Sequence, residues 1–251
     1  MKLLRIIILC PLALFRLFMI IFISAFVVFV GFIWLKSKGF SRHLQQWVMR
    51  TWGKTILFFL GVKIIRNEIP KHSNYLLMPN HRSYLDIFIV AGLTPLSLIG
   101  KAELKNWPFG QLGTVITNSI LVDINEIRSL IRTMNQIKKS LKQGIPVGLF
   151  PEGTTSRGPL TIPFKNGSFK IAADSNVPVI PMAIHYKDLN DAWVGNDTFL
   201  SHFFRQMGKL RTCVYLKYGT PILNSDYKIL QKETRNQIDL MLEEIIQKNL
   251  K

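Results

Sequence analysis

The pattern of apolar and polar positions divides the chain into two unlike parts. Residues 17–35, LFMIIFISAFVVFVGFIWL, form an uncharged and almost wholly apolar run. As a helix, this run rises about 28 Å, close to the ~30 Å hydrocarbon core of a bilayer. The preceding LLRIIILCPLALF is interrupted by Pro11 and either extends that helix, lies in the interface or forms half of a hairpin. The run is longer than the ~7–15-residue apolar region of a cleaved signal peptide, and it ends in Trp34, Leu35 and Lys36 rather than at a small-residue cleavage site. The expectation is an uncleaved anchor over residues 1–40. Residues 41–62 mix Trp47, Trp52 and ILFFLG with basic residues, so 41–66 is expected to be an amphipathic membrane-surface segment, with a helix packed on the domain as the alternative.

Beyond Pro70 the apolar runs become short and alternate with helical stripes. NYLLMPN, LSLIGK, ILVDI, IPVGLFPE, VPVIPMAIHY and RTCVYLKYG are short runs bounded by turn residues, the pattern of buried strands. SYLDIFIVAGL predicts a helix ending at Gly92. NEIRSLIRTMNQIKKSLKQG predicts another, with Ile127, Leu130, Ile131, Met134, Ile137 and Leu141 as its apolar stripe, Asn125 as N-cap and Gly144 as C-cap. Residues 225–250 predict a closing amphipathic helix. This alternation predicts an α/β fold over residues 67–251: a mixed, largely parallel sheet flanked by helices, preceded by the N-terminal membrane-anchoring helix region. Residues 100–113 read as a surface loop.

Charge sharpens the membrane expectation. The formal net charge is +17, and residues 1–67 contain ten Lys and Arg with no Asp or Glu. The basic excess therefore lies in the most apolar part of the chain, which suits an anionic membrane better than nucleic acid. More basic residues follow the apolar run than precede it, which places the domain on the cytoplasmic side. Two cysteines, Cys10 and Cys213, suggest neither a disulfide framework nor a zinc site.

Two polar clusters emerge directly from strand-like runs, where open α/β sheets bind ligands. Asn80-His81-Arg82-Ser83-Tyr84-Leu85-Asp86 follows the first run. By itself it fits first an ordinary turn with Ser83 capping the next helix, and second a general base, His81, oriented by Asp86. Phe150-Pro151-Glu152-Gly153-Thr154-Thr155-Ser156-Arg157-Gly158 follows a later run and offers a carboxylate, hydroxyls, turn amides and an arginine. It reads as a polar turn or as an anion cradle. Lys165 begins a possible helix near the same mouth, and Lys101 and Glu103 lie after LSLIG. There is no G-x-S-x-G, so no covalent acyl-enzyme is suggested.

Taken together, these stretches resemble the glycerophospholipid acyltransferase family, which includes the 1-acylglycerol-3-phosphate acyltransferases. The shared blocks, in order, are Asn80, His81 and Asp86; then Lys101, Glu103, Leu104, Pro108 and Gly110; then Phe150 to Ser156; then Phe164, Lys165 and Gly167; then Val177 to Pro181. One position departs from the pattern. The arginine usual after E-G-T, taken to hold the acceptor's phosphate, is Thr155 here, and Arg157 stands two residues later.

The resemblance implies an O-acyltransferase in phospholipid biosynthesis that moves a fatty acyl group from acyl-CoA or acyl-carrier protein to a lysolipid hydroxyl. It needs no cofactor and no metal. Its first-choice acceptor is 1-acylglycerol-3-phosphate, giving phosphatidic acid. The departure at Thr155 keeps lyso-ornithine lipid or another lysophospholipid as alternatives, and a non-enzymatic membrane tether is the remote one. It further implies that His81 is the base and Asp86 its orienter, with Lys101, Glu152, Gly153, Thr154, Arg157 and Lys165 binding substrate.

Overall fold

A computed structural model describes residues 2–72, 74–107, 109–123, 125–195 and 197–249. Pro108, one of the motif positions, lies outside the described residues. The N-terminal apolar run is part of a single helix, α1 (Lys2–Lys38), continuous through Pro11. Among the described residues, Pro11–Lys38 is the one helix long and apolar enough to cross a membrane, with a mean hydropathy of 2.8. Its two faces differ. Ala13, Arg16, Ile23 and Val27, at spacings of three, seven and four residues, are buried against the rest of the protein, whereas Phe18, Phe22, Phe26 and Phe29 are exposed.

Helix α2 (Arg42–Phe59) starts at Ser41, whose hydroxyl accepts the Leu44 amide at 3.1 Å and satisfies one of the free N–H groups of the first turn. Its apolar face is buried within the protein, at Leu44, Val48, Ile56 and Leu57. It crosses α3 (Leu85–Leu93) so closely that a Cβ on Gly53 would lie 2.4 Å from the Gly92 backbone nitrogen. Gly92 therefore serves this crossing rather than ending its helix, which continues to a C-cap at Thr94.

Arg16 ties α1 to this assembly. Its guanidinium donates to the carbonyls of Phe59 (3.0 Å), Met207 (2.7 Å), Leu210 (3.3 Å) and Lys209. Phe59 is the last residue of α2, and Met207 the last of α7 (Phe199–Met207), so one buried cation satisfies carbonyls at two helix C-termini.

Seven strands among the described residues form one sheet, in the order β1 (Val62–Arg66), β7 (Thr212–Tyr218), β6 (Val179–Tyr186), β2 (Leu76–Pro79), β5 (Val147–Gly148), β3 (Ser97–Lys101), β4 (Ile120–Val122). All neighbours run parallel except β6 and β7. Residues 62–66, assigned by pattern to the surface segment, are an edge strand of the sheet, pairing Val62 with Thr212 through Arg66 with Leu216. The boundary expected at residue 67 therefore lies inside the sheet's own sequence. The misassignment follows from this strand's edge position. Lys63, Ile65 and Arg66 are exposed, so no continuous apolar run marks it.

The sheet has a core on each face. Leu77, Ile180, Met182 and Ile184 pack toward α1, α2, α3 and α7, while Leu76, Met78, Val179 and Ala183 pack toward α5 (Ile127–Lys142), α6 (Gly167–Asp174) and α8 (Tyr227–Asn249). In β2, Leu76 and Met78 face one core and Leu77 the other, the two-residue period of a strand buried on both sides.

Two local expectations are corrected. The N-cap of α5 is Glu126, not Asn125, and it makes no side-chain cap bond. Gly144 lies one residue past the C-cap, Gln143, with φ +69°, the left-handed conformation glycine adopts at that position. Only part of the apolar stripe of α5 is core. Ile137 and Leu141 are buried with Ser129, Thr133 and Ser140, but Ile127 and Ile131 are more than half exposed. Residues 100–113, read as a loop, include the end of β3, a 3-10 turn over Ala102–Asn106 and the start of α4 (Gly110–Thr117). A Cβ on Gly110 would lie 1.9 Å from the Leu104 carbonyl oxygen, which requires glycine there.

Candidate active site

Strands β2 and β5 are parallel neighbours whose chains leave in opposite directions. From β2 the chain enters α3 on one face of the sheet, and from β5 it proceeds to α6 on the other. A crevice opens between the carboxyl ends of two such strands, and there an open α/β sheet binds its ligands. Both motif clusters enter it, Asn80–Asp86 from β2 and Phe150–Arg157 from β5.

Asn80 fixes the end of β2 to β6. Its side-chain amide donates to the Ile184 carbonyl at 3.0 Å and its carbonyl accepts the Ile184 amide at 2.7 Å. His81 follows, with its ring stacked on Phe150 at a centroid separation of 3.9 Å and an interplanar angle of 17°. Its Nδ1 lies 2.8 Å from Asp86 Oδ2. An ionised carboxylate only accepts, so Nδ1 carries the proton and Nε2 presents its lone pair away from Asp86. The His81 side chain is 17% exposed and that of Asp86 is fully buried.

Asp86 is the hub of the loop. The same Oδ2 accepts the backbone amides of Arg82 (2.7 Å) and Ser83 (2.9 Å), and Oδ1 accepts the Tyr186 hydroxyl at 2.7 Å. The N-cap of α3 is Tyr84, with no side-chain cap bond, rather than the Ser83 that the sequence suggested, and the Asp86 carboxylate in the first turn instead holds the loop that precedes the helix. Burial, then the neighbouring Asp86 charge, pushes the Tyr186 phenol well above its usual range, which keeps it a donor.

Glu152 is buried, and its two oxygens accept the backbone amides of His81 (2.6 Å) and Ile162 (3.0 Å). Burial pushes its carboxyl above the usual range, against the opposing pull of those two amides and of Arg82. The sequence assigned Glu152 to substrate. Here both oxygens are engaged by the backbone, so the carboxylate positions His81 from behind.

Gly153 has φ +71°, and its amide donates to the Phe150 carbonyl at 3.1 Å, so that N–H closes the turn rather than pointing outward. The Lys165 side chain lies over this turn, its Nζ 3.1 Å from where a Cβ on Gly153 would be. Thr154 and Arg157 are exposed on the same loop, and Lys101 is exposed at the carboxyl end of β3, one strand beyond β5.

Several residues around His81 had no role in the sequence reading. Arg82 is 2% exposed and donates to the carbonyls of Ser156 (3.2 Å), Pro159 (3.0 Å) and Leu160 (3.3 Å) and to the Ser156 hydroxyl. Burial pulls its guanidinium below the usual value, while Glu152, Asp86 and Asp239 pull it back up. The Ser156 amide in turn donates to the His81 carbonyl at 2.9 Å. Arg82 thus fastens the second cluster onto the first. Tyr186 was visible only as the end of an apolar run and Phe150 only as the first residue of its motif block, and neither gave a signal of contact with Asp86 or His81.

The chain is similar to several known proteins. Residues 61–185 match the family model described as Acyltransferase. A 1-acyl-sn-glycerol-3-phosphate acyltransferase of Borreliella burgdorferi is 33% identical over 159 residues, 61% of this chain and 63% of that protein. A lyso-ornithine lipid O-acyltransferase of Rhizobium meliloti is 30% identical over 165 residues, 65% of this chain and 54% of that protein. This chain thus spans less than two thirds of the length of each of these relatives. The crystal structure of the 1-acyl-sn-glycerophosphate acyltransferase PlsC from Thermotoga maritima shares the fold, with a TM-score of 0.73 at 23% identity, covering 96% of this chain and 97% of that one. On its motifs and these matches, residues 61–185 of the chain belong to the acyltransferase family.

Proposed function

We propose that this protein transfers a fatty acyl group from a thioester, acyl-CoA or acyl-carrier protein, to the free hydroxyl of a lysolipid. The observation that carries the reading is the His81–Asp86 pair, with a stacked imidazole and a buried carboxylate on Nδ1, which leaves Nε2 free of Asp86. Nε2 takes the hydroxyl proton as the oxygen attacks the thioester carbonyl. The resulting imidazolium is stabilised by Asp86. As the tetrahedral intermediate collapses, the C–S bond breaks and the imidazolium returns the proton to the leaving thiolate, so an ester and a free thiol are the products. Lys165, Arg157 and Lys101 supply positive charge for the anionic groups of donor and acceptor.

The acceptor favoured first is 1-acylglycerol-3-phosphate, giving phosphatidic acid. Lyso-ornithine lipid is the second reading, because Thr155 stands where a phosphate-holding arginine is usual and its hydroxyl donates to the Trp193 carbonyl instead. The exposed phenylalanines of α1 embed that helix in the membrane, and the basic flank downstream sets the site at the cytoplasmic surface. Detergent-purified protein given labelled acyl-CoA or acyl-carrier protein and a panel of lysolipids tests the reading. Phosphatidic acid as the principal product supports the first acceptor, ornithine lipid as sole product moves the acceptor, and no acylated product from any lysolipid overturns the proposal.

A further inference from the structure

One segment beside His81 takes no part in the mechanism above. Residues 188–195 and 197, between β6 and α7, are fastened at several points. Lys209 Nζ pairs with Asp188 at 2.6 Å and also with Asp191, and Arg205 pairs with Asp197 at 2.9 Å. The middle of the segment is Trp193. Its amide donates to the Arg82 carbonyl at 2.9 Å, its carbonyl accepts the Thr155 hydroxyl, and its indole Nε1 donates to the Asp197 carbonyl at 2.8 Å. Trp193 is therefore bonded to both motif clusters, to the residue after His81 in one and to Thr155 in the other.

The ring of Trp193 joins an aromatic row. It meets Tyr84 edge to face at 5.8 Å and Phe199 at 5.9 Å; Tyr84 meets Phe199 at 5.5 Å, and Phe199 meets Trp107 at 6.4 Å. Tyr84 is three residues from His81. At the other end of the row, Phe199, Leu200 and Trp107 are 41%, 64% and 58% exposed. That end lies by α7, which is joined to α1 through Arg16, and the outer face of α1 is itself apolar. An aromatic row therefore runs from an exposed apolar end at the start of α7 to the loop that carries the base, and the far end of α7 is tied to α1. Amphipathic aromatic rings suit a surface that meets lipid at one end and a polar site at the other.

We propose that Tyr84, Trp193 and Phe199 form the wall that receives the lysolipid acceptor, and that Thr155 is the positioning residue that holds this wall by hydrogen bonding to the Trp193 carbonyl. The inference rests on the acyltransferase reading and adds a subsite to it. The hydroxyl of Thr155 is committed to Trp193, so at this position the chain orders a hydrocarbon-facing wall rather than supplying a head-group cation. As an acceptor subsite, the wall governs acceptor binding and leaves donor selection unaffected.

Thr155→Val removes the hydroxyl while keeping the shape, and Trp193→Phe keeps a ring while losing the indole donor; Trp193→Ala removes the wall. With 1-oleoyl-glycerol-3-phosphate and lyso-ornithine lipid as acceptors in mixed micelles and palmitoyl-CoA as donor, Thr155→Val and Trp193→Ala are expected to raise the acceptor KM about tenfold or more, with kcat within about threefold. The palmitoyl-CoA KM and the preference among donor chain lengths stay unchanged, and Trp193→Phe recovers part of the acceptor KM. Equilibrium binding of radiolabelled lysolipid to the same detergent-solubilised proteins reads the wall independently of turnover, so loss of the reaction and loss of the wall are separate results. An unchanged acceptor KM and lysolipid binding in Thr155→Val and Trp193→Ala overturns the proposal, and so does a shift confined to donor KM or donor chain length, which would give the wall to the acyl donor.

Discussion

Replacing Asp86 with asparagine removes a charge with little change of shape, and its cost follows from the contacts of the carboxylate. Oδ2 accepts from the amides of Arg82 and Ser83 and from His81 Nδ1 at 2.7–2.9 Å, and Oδ1 accepts from Tyr186. An asparagine can keep its oxygen toward the three N–H donors and turn its nitrogen to Tyr186, whose hydroxyl then accepts. The fold is retained and the ring stays in place. What disappears is the attraction that arises when His81 takes a proton. At 2.8 Å the Coulomb energy is about 6 kcal/mol for an effective dielectric of 20, an upper limit because the imidazole also meets solvent. The net gain from making a hydrogen bond charged is smaller, about 1.5–3 kcal/mol. Because it is realised only as the proton moves, it falls on kcat, as a drop of about 10- to 150-fold. Steady-state acyl transfer with saturating donor, together with a thermal melt, is the assay. Acceptor and donor KM should hold, since Asp86 is buried and touches neither. A kcat within about threefold of wild type, in a protein that melts normally, would refute the reasoning.

Other predictions test the supports. In Glu152→Gln one of the two backbone amides, of His81 or Ile162, must face a side-chain NH2 group, so stability should fall by about 1–3 kcal/mol and kcat should fall with it, read by denaturant melts and turnover. Gly53→Ala places a methyl against the Gly92 backbone, which cannot give as a flexible side chain would. We expect a loss of about 3 kcal/mol, or ~6–12 °C in Tm, and an unchanged melt would disprove the tight α2–α3 crossing.

Burial holds the imidazoles of His185 and His202 below their usual pKa, aided by Arg82 and Arg205 respectively. The unfolded chain therefore protonates first. The stability these residues confer is complete above about pH 6.5 and is lost as pH falls from there through the lower folded values. Glu152, with its raised pKa, acts in the opposite sense over the acidic range, losing its contribution as pH rises through the folded value. Tm compared at about pH 7.5 and about pH 5.5 should thus drop less in His185→Asn than in wild type, and an equal drop would reject the assignment.

How much of this could be read from the sequence depended on which physical signal each part leaves. β2, β6 and α8 are legible because strands buried on both faces are continuous apolar runs and a closing amphipathic helix keeps its period. β1 is an edge strand with exposed Lys63 and Arg66, and α7 is only nine residues long, so neither produces a clear run. In α5 the apolar stripe was legible but its partners were not: serines and a threonine fill core positions while Ile127 and Ile131 face outward.

At the site, the types and spacing of His81 and Asp86 suggested a pair because five residues bring the first turn of a helix back toward the preceding loop. The resemblance gave Glu152 to substrate, and a carboxylate in a polar loop gives no sign of the two backbone amides that hold it. Arg82 and Trp193 were invisible for a related reason. Their roles arise from contacts 74 or more residues away for Arg82 and across three segments for Trp193, and no local pattern encodes these.

The central claim is that His81 is the base, and single-turnover acyl transfer by His81→Ala beside wild type tests it most directly. His81 holds its loop chiefly through its backbone, with its N–H on Glu152 and its carbonyl on Ser156, so the variant should fold and still bind lysolipid. The account predicts that its rate falls by about 10²–10⁴-fold with the melt preserved. A folded His81→Ala protein that transfers acyl groups at the wild-type rate would contradict it.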